Sequence, residues 1–344
     1  MDATVQALMA SPRGILAADE SHATIAQRFE ALSIDPTQEN RRRYRQLLLT
    51  APGMEEFISG VIMFDEALGQ LADDGRRFVE LLVERGIVPG IKVDVGAKPL
   101  AGSVGEHITE GLDGLRERLA EYQTLGARFA KWRGVIAIGD ETPTDYCLHV
   151  NAHALARYAA LCHEVGLVPI VEPEVLSDGA HDLARSAAVT QATLETVFDE
   201  LRAQRVALER VLLKPNMIVA GSDCPQQASI SEVATATLEC LRRAVPVAVP
   251  GIVFLSGGQP PELATAHLNA LNAAAESCPW PLSFSFARAL QTPALETWRG
   301  APANVGAAQR AFLHRARCNS AARTGAYTRE LELSANGASN PQRT

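Results

Sequence analysis

The sequence predicts a parallel (β/α)₈ TIM barrel built as a single domain, and three observations carry that expectation. Eight short apolar runs recur along the chain, each followed by a segment of helical spacing, and such alternation is satisfied by helices packed around a parallel sheet. A length of 344 residues with 47% apolar content can fill one large core. The Gly-x-Gly-x-x-Gly turn that an open dinucleotide-binding sheet places after its first strand is absent here.

Strand one, 14–18, runs into Asp19-Glu20-Ser21, and a helical pattern follows over 24–32. The run Arg41-Arg42-Arg43-Tyr44-Arg45 lies between Gln38-Glu39-Asn40 and three leucines, so it reads as one solvated helix face rather than a phosphate patch. Strand two, 60–64, ends at Asp65-Glu66. A helix over 76–85 leads to strand three, 87–93, which carries Lys92. Pro99 and Gly105 mark 95–114 as loop, and 115–125 is helical by spacing. Strand four, 127–132, brings Lys131 and Arg133 out at its end.

An amphipathic helix over 151–165 stops at Gly166, and strand five, 167–171, delivers Glu172-Pro173-Glu174. A helix over 191–204 precedes the sixth strand, Val211-Leu212-Leu213, which is closed by Lys214 and by Pro215, a residue that cannot continue a ladder. After a helix over 229–244, strand seven, 251–255, leads into Ser256-Gly257-Gly258. A helix over 262–275 and strand eight, 282–286, with Arg288 just beyond it, complete the set. A last helix, 305–323, finishes a domain over 1–330, and 331–344 reads as a polar, mobile tail.

The active site of such a barrel lies at the C-terminal strand ends. Here those ends carry Asp19, Lys92, Lys131, Arg133, Glu172, Glu174, Lys214, Ser256 and Arg288. The chain has four lysines, which leaves 28 of its 32 basic residues as arginine. Arginine does not deprotonate, so the few lysines are enriched for places that need a proton-losing amine or a compact charge. Lys98, before Pro99, reads as plain surface. A lysine at a buried strand tip is a carbonyl nucleophile if held neutral, with Lys131 as the repelling neighbour; the competing reading is a lysine that snorkels out. Glu172 or Glu174 is suited to the proton traffic of imine formation, although Glu172 with Arg133 also reads as a structural ion pair. Asp19 reads as a base for the hydroxyl next to the breaking bond, or as a helix cap. Ser256-Gly257-Gly258 with Arg288 forms a plausible phosphate cradle, and Lys92 with Ser21 a second anion site.

The net charge of −8 gives no overall basic field, which argues against nucleic-acid or anionic-membrane partners. No apolar run reaches the roughly 18 residues of a membrane span, and the opening residues lack a basic-then-apolar leader, so the expected compartment is the cytosol. Six scattered cysteines form no Cys-x-x-Cys pair. His149 and His153 have ligand spacing but neither an acid between them nor a third ligand, so no metal or other cofactor is expected.

In chain order, Leu16-Ala17-Ala18-Asp19-Glu20-Ser21, Gly90-Ile91-Lys92-Val93-Asp94, Ala130-Lys131-Trp132-Arg133, Val171-Glu172-Pro173-Glu174, Leu212-Leu213-Lys214-Pro215-Asn216-Met217, Phe254-Leu255-Ser256-Gly257-Gly258-Gln259 and Phe284-Ser285-Phe286-Ala287-Arg288-Ala289-Leu290-Gln291 resemble the motifs of class I fructose-bisphosphate aldolase. The resemblance covers 14–327. It implies a metal-independent Schiff-base enzyme that reversibly cleaves fructose 1,6-bisphosphate to dihydroxyacetone phosphate and glyceraldehyde 3-phosphate, usually as a cytosolic homotetramer in glycolysis and gluconeogenesis. It assigns the imine to Lys214, the acid and base of its formation and hydrolysis to Glu172, and the C4 hydroxyl proton to Asp19. Lys131 supports charge and proton transfer, and Glu174 and Arg133 buttress the site. Ser256, Gly257 and Arg288 take the C1 phosphate, whereas Ser21, Thr24 and Lys92 face the C6 phosphate. Two departures stand out. Ala287 replaces the family's usual glycine, a cost if that position needs a positive φ, and the sequence ends Asn340-Pro341-Gln342-Arg343-Thr344 rather than in the tyrosine of animal members. Tyr327 matches an earlier tyrosine and does not inherit the tail's role. An aldolase preferring fructose 1-phosphate or sedoheptulose 1,7-bisphosphate is the neighbouring alternative, and a non-catalytic scaffold on the same frame the distant one.

Overall fold

The computed structural model describes residues 1–275 and 278–334. Its strands in chain order are β1 (Gly14–Ala18), β2 (Ile58–Met63), β3 (Val88–Lys92), β4 (Gly96–Pro99), β5 (His107–Glu110), β6 (Phe129–Ile136), β7 (Val168–Val175), β8 (Leu212–Leu213), β9 (Ile252–Phe254) and β10 (Leu282–Phe286). Eight of them close into a parallel barrel in the order β1-β2-β3-β6-β7-β8-β9-β10. The expected (β/α)₈ barrel is therefore present.

Side chains alternate across a strand, and this period of two builds the interior. Ile15 and Ala17 on β1, Ile62 on β2, Phe129 on β6, Val168 and Ile170 on β7, Leu212 on β8 and Val253 on β9 meet in one inner cluster. The alternate barrel-strand residues Leu16, Ile91, Ala130, Trp132, Val171, Leu213 and Phe254 face outward into the shell between barrel and helices. Gly90 is glycine because the Phe129 ring occupies its space: a Cβ there would lie 2.2 Å from the ring. The helix Asp2–Leu8 closes the bottom through Val5 and Leu8, which join the inner cluster.

Four features depart from the sequence expectation. The stretch 95–114 holds the antiparallel hairpin β4-β5, with Lys98 exposed on it, because Pro99 and Gly105 mark the hairpin's rim rather than an unpaired loop. Strands β6 and β7 each run four residues further than predicted, so Arg133, Glu172 and Glu174 lie inside the ladder instead of beyond it. Four helices, Asp2–Leu8, Asp65–Leu68, Arg288–Trp298 and Arg329–Leu333, are additional; the third contains Pro293. The arginine-rich helix Gln38–Leu49 is not a solvated face throughout. Arg41 and Arg45 share a side with buried Tyr44 and Leu48, and both bond Glu66 at 2.6 Å, while Arg42 and Arg43 hold Glu39.

The final described helix, Arg329–Leu333, is anchored by Glu332, which accepts a 2.6 Å hydrogen bond from the Tyr327 hydroxyl. The rest of the expected tail lies outside the described residues. Among those described, no helix is long and apolar enough to cross a membrane.

Candidate active site

At the C-terminal end of the barrel the inward positions change from apolar to ionisable. Asp19 continues the inward series of β1, Lys92 ends β3, Lys131 and Arg133 follow Phe129 along β6, Glu172 and Glu174 follow Ile170 along β7, and Lys214 follows Leu212. Register sets Lys92 level with Lys131 and Arg133 level with Glu172. The Lys214 N–H donates to the Val171 carbonyl at 2.8 Å, extending β8 by one bond. All these side chains line one cavity of about 580 Å³, a size typical of small-molecule sites.

Lys214 Nζ lies 3.1 Å from Glu172 Oε1. Lys131 Nζ lies 2.7 Å from Asp19 Oδ2, 3.3 Å from Glu172 Oε2 and 4.0 Å from Asp94 Oδ2. Lys131, Glu172, Lys214 and Asp94 are buried, so these charges act on one another with little screening. Burial pushes the Asp19 carboxyl up, but Lys131, Lys214 and Lys92 outweigh it and hold the group at about 2. Burial acts likewise on Glu172, and Lys131, Lys214 and Arg133 hold it below the usual carboxylate range. Burial disfavours the Lys131 ammonium, yet Asp19, Glu172 and Asp94 raise its pKa well above the ordinary lysine value.

This geometry corrects the predicted role of Lys131. It is not a bare like charge repelling Lys214, because three carboxylates share it. The group in contact with Lys214 is Glu172, at 3.1 Å. Arg133, in turn, donates through Nε to Glu174 and not to Glu172, which replaces the ion pair left open by the sequence.

Two walls carrying serine hydroxyls and cationic side chains flank the lysine. Ser256, Gly257 and Gly258 leave β9 in a turn where both glycines have positive φ, 54° and 80°, a conformation glycine adopts without steric cost. A Cβ on Gly258 would come within 3.0 Å of Arg288 Nη2, so this glycine leaves room for the guanidinium. Arg288 is the first residue of its helix and has no carboxylate partner among the described residues; burial and the charge of Arg28 lower its pKa. An unpaired cation at a helix N-terminus is a prepared anion site. Ala287 has φ −104°, so the position does not demand glycine and the extra methyl brings no backbone strain.

On the opposite wall Ser21 Oγ caps the helix His22–Glu30, accepting from the Thr24 N–H, and lies 3.0 Å from Thr24 Oγ1. Lys92 Nζ lies 2.7 Å from Asp94 Oδ1, so its charge is partly committed before any ligand arrives. His149 and His153 are elsewhere, on the helix Asp145–Glu164, against the Asp145 carbonyl and Glu200.

Residues 1–342 match the family model described as fructose-bisphosphate aldolase class-I. This chain belongs to the class I fructose-bisphosphate aldolase family. It is similar to a probable fructose-bisphosphate aldolase class 1 of Xanthomonas campestris, 53% identical over 325 residues, covering 94% of this chain and 97% of the relative. A fructose-bisphosphate aldolase of Dictyostelium discoideum is 51% identical over 331 residues, covering 95% and 92%. The solved structure of the Plasmodium falciparum fructose-bisphosphate aldolase, in complex with TRAP and a small-molecule inhibitor, superposes with a TM-score of 0.93 at 47% identity over 95% of this chain and 94% of that one. The aldolase is a glycolytic lyase.

Three further residues, Asp94 and Arg28 lining the cavity and Gln291 behind it, carry no role in the sequence reading, although Asp94 and Gln291 each end one of its motifs. Asp94 is buried, ties Lys92 to Lys131 and accepts from the Arg133 N–H at 3.3 Å; its signal was its place two residues after Lys92, on the same side of the chain. Arg28 shares a helix face with Ser21 and Thr24, at spacings of seven and four, and lies 2.5 Å from Glu20 Oε1. Gln291 ends the last motif, but none of its side-chain contacts is local. It donates to the Ala17 carbonyl at 2.5 Å and to Glu20 at 2.8 Å, and accepts from the Tyr44 hydroxyl at 3.0 Å, contacts created only by barrel closure.

Proposed function

We propose that Lys214 attacks the C2 ketone of fructose 1,6-bisphosphate, with Glu172 as its proton partner. The observation that carries this reading is the 3.1 Å approach of Lys214 Nζ to a buried, ionised carboxylate. Glu172 takes a proton from the ammonium, the neutral amine adds to C2, and Glu172 returns that proton to the carbinolamine hydroxyl, which leaves as water. The resulting iminium accepts the electrons of the C3–C4 bond as Asp19 removes the C4 hydroxyl proton and glyceraldehyde 3-phosphate departs. Lys214's positive charge is one of those that hold Asp19 down. Its loss on enamine formation raises Asp19's proton affinity as the proton moves. Protonation at C3 and hydrolysis of the imine then release dihydroxyacetone phosphate and restore the amine.

Ser256, Gly257 and Arg288, with the Ala287 peptide, take the C1 phosphate; Ser21, Thr24 and Lys92 face the C6 phosphate. Lys131, with Asp94 beside it, holds Asp19 and Glu172 ionised and in place, and Glu174 with Arg133 buttresses that wall. The family resemblance further leads us to a cytosolic homotetramer, built from a barrel domain over 1–330, and light scattering should return a particle four times the chain mass.

The phosphate assignment is tested with two substrates. Arg288→Ala should lower kcat/KM about 10- to 150-fold toward both fructose 1,6-bisphosphate and fructose 1-phosphate, the loss of one or two charged hydrogen bonds. Lys92→Met should depress only the bisphosphate reaction. Equal losses on both substrates from Lys92→Met would put the C6 phosphate elsewhere.

A further inference from the structure

Away from the barrel mouth, on the outer helix layer, His314 and Cys318 lie four residues apart on one face of the helix Val305–Ala322. Glu332 reaches them from the helix Arg329–Leu333. We propose that this triad is a structural zinc-class metal site that clamps the terminal helix to the helix Val305–Ala322. One donor atom from each residue lies within 4.8 Å of the other two. His314 Nε2 is 3.6 Å from Cys318 Sγ and 3.5 Å from Glu332 Oε1. Ligands around a tetrahedral Zn²⁺, with bonds of about 2.0–2.3 Å, stand about 3.3–3.6 Å apart. Two of the three spacings already match, so only a small approach of the thiol and carboxylate to one another is needed.

The surroundings also resemble a metal centre's outer shell. Ligating carboxylates in such centres are themselves held by hydrogen bonds. Glu332 is held by Arg315, which donates to Oε1, and by the Tyr327 hydroxyl, which donates to Oε2 at 2.6 Å. Each carboxylate oxygen keeps a lone pair for a metal after those bonds are made. Cys318 is fully buried, whereas His314 and Glu332 are partly exposed, which gives an ion its way in and leaves the fourth position to water. Coordination replaces the S–H bond with a sulfur–metal bond, and the released proton goes to buffer.

The test uses the full-length enzyme stripped of metal by dialysis against chelator, then titrated with Zn²⁺ by calorimetry and with Co²⁺ by absorption. One ion per chain, a cobalt-to-thiolate charge-transfer band, and a rise in Tm are expected. Fructose 1,6-bisphosphate cleavage should be the same with and without the ion, since the triad does not line the catalytic cavity. Cys318→Ala should abolish the band, and His314→Gln, at a partly exposed position that does not threaten folding, should weaken binding about 10- to 100-fold or more. Absence of stoichiometric binding, or binding unchanged in both folded variants, would overturn the site.

Discussion

Lys214→Met is expected to lower the rate of fructose 1,6-bisphosphate cleavage by at least about 10⁴-fold, because no other group in the cavity can replace a lost covalent intermediate. Lys131 sits deeper and is bonded to Asp19 and Glu172, and Lys92 is engaged with Asp94. Methionine matches the lysine stem in length and keeps the apolar packing. The variant should therefore fold and retain its phosphate-binding walls. A substrate-analogue titration should show affinity within about tenfold of the parent enzyme while turnover vanishes. Arginine at the same position should be equally inactive, since a guanidinium keeps its charge and cannot form the imine.

The second large effect is expected from Lys131→Met, and it combines stability with catalysis. Lys131 contacts Asp19 and Glu172 and lies near Asp94, so its removal leaves buried carboxylates facing one another with less compensation. Breaking a buried ion cluster from one side costs about 3–5 kcal/mol. Activity should fall about 10²- to 10⁴-fold, because the proton acceptors lose their orientation and their charge state. The sign with pH follows from Asp19. Its folded value of about 2 lies below the ordinary unfolded one. The stability it contributes is thus fully present above about pH 4 and is lost as pH falls through about 2. In Lys131→Met that depression is relieved, so this acid-dependent loss shrinks: the variant's stability deficit should be largest near pH 7 and narrow as pH falls toward about 2. Urea melts at pH 7 and at about pH 2.5 check both statements; a variant deficit that does not narrow between them would mean that Lys131 does not hold Asp19 ionised.

Much of this site is legible in the chain because a barrel strand carries its chemistry in alternate positions. The runs of β1 and β10 coincide with the expected strands, the first bounded by Arg13 and Asp19 and the second opened by Pro281. The limits of β6 and β7 are not legible in that way: Lys131, Arg133, Glu172 and Glu174 look like the end of a strand when they are strand residues facing a lined cavity. Pairings are harder still. That Glu172 rather than Lys131 touches Lys214, and that Arg133 holds Glu174, depends on register and side-chain reach between neighbouring strands. Gln291 enters the site's support only because the last strand closes against the first. A proline within the helix Arg288–Trp298 hides the element that presents Arg288 to the cavity.

The most direct measurement is chemical trapping. The enzyme, incubated with dihydroxyacetone phosphate and reduced with borohydride, should gain one covalent adduct per chain, and peptide mapping by mass spectrometry should place it on Lys214. No adduct, or one confined to Lys92 or Lys131, would contradict the account.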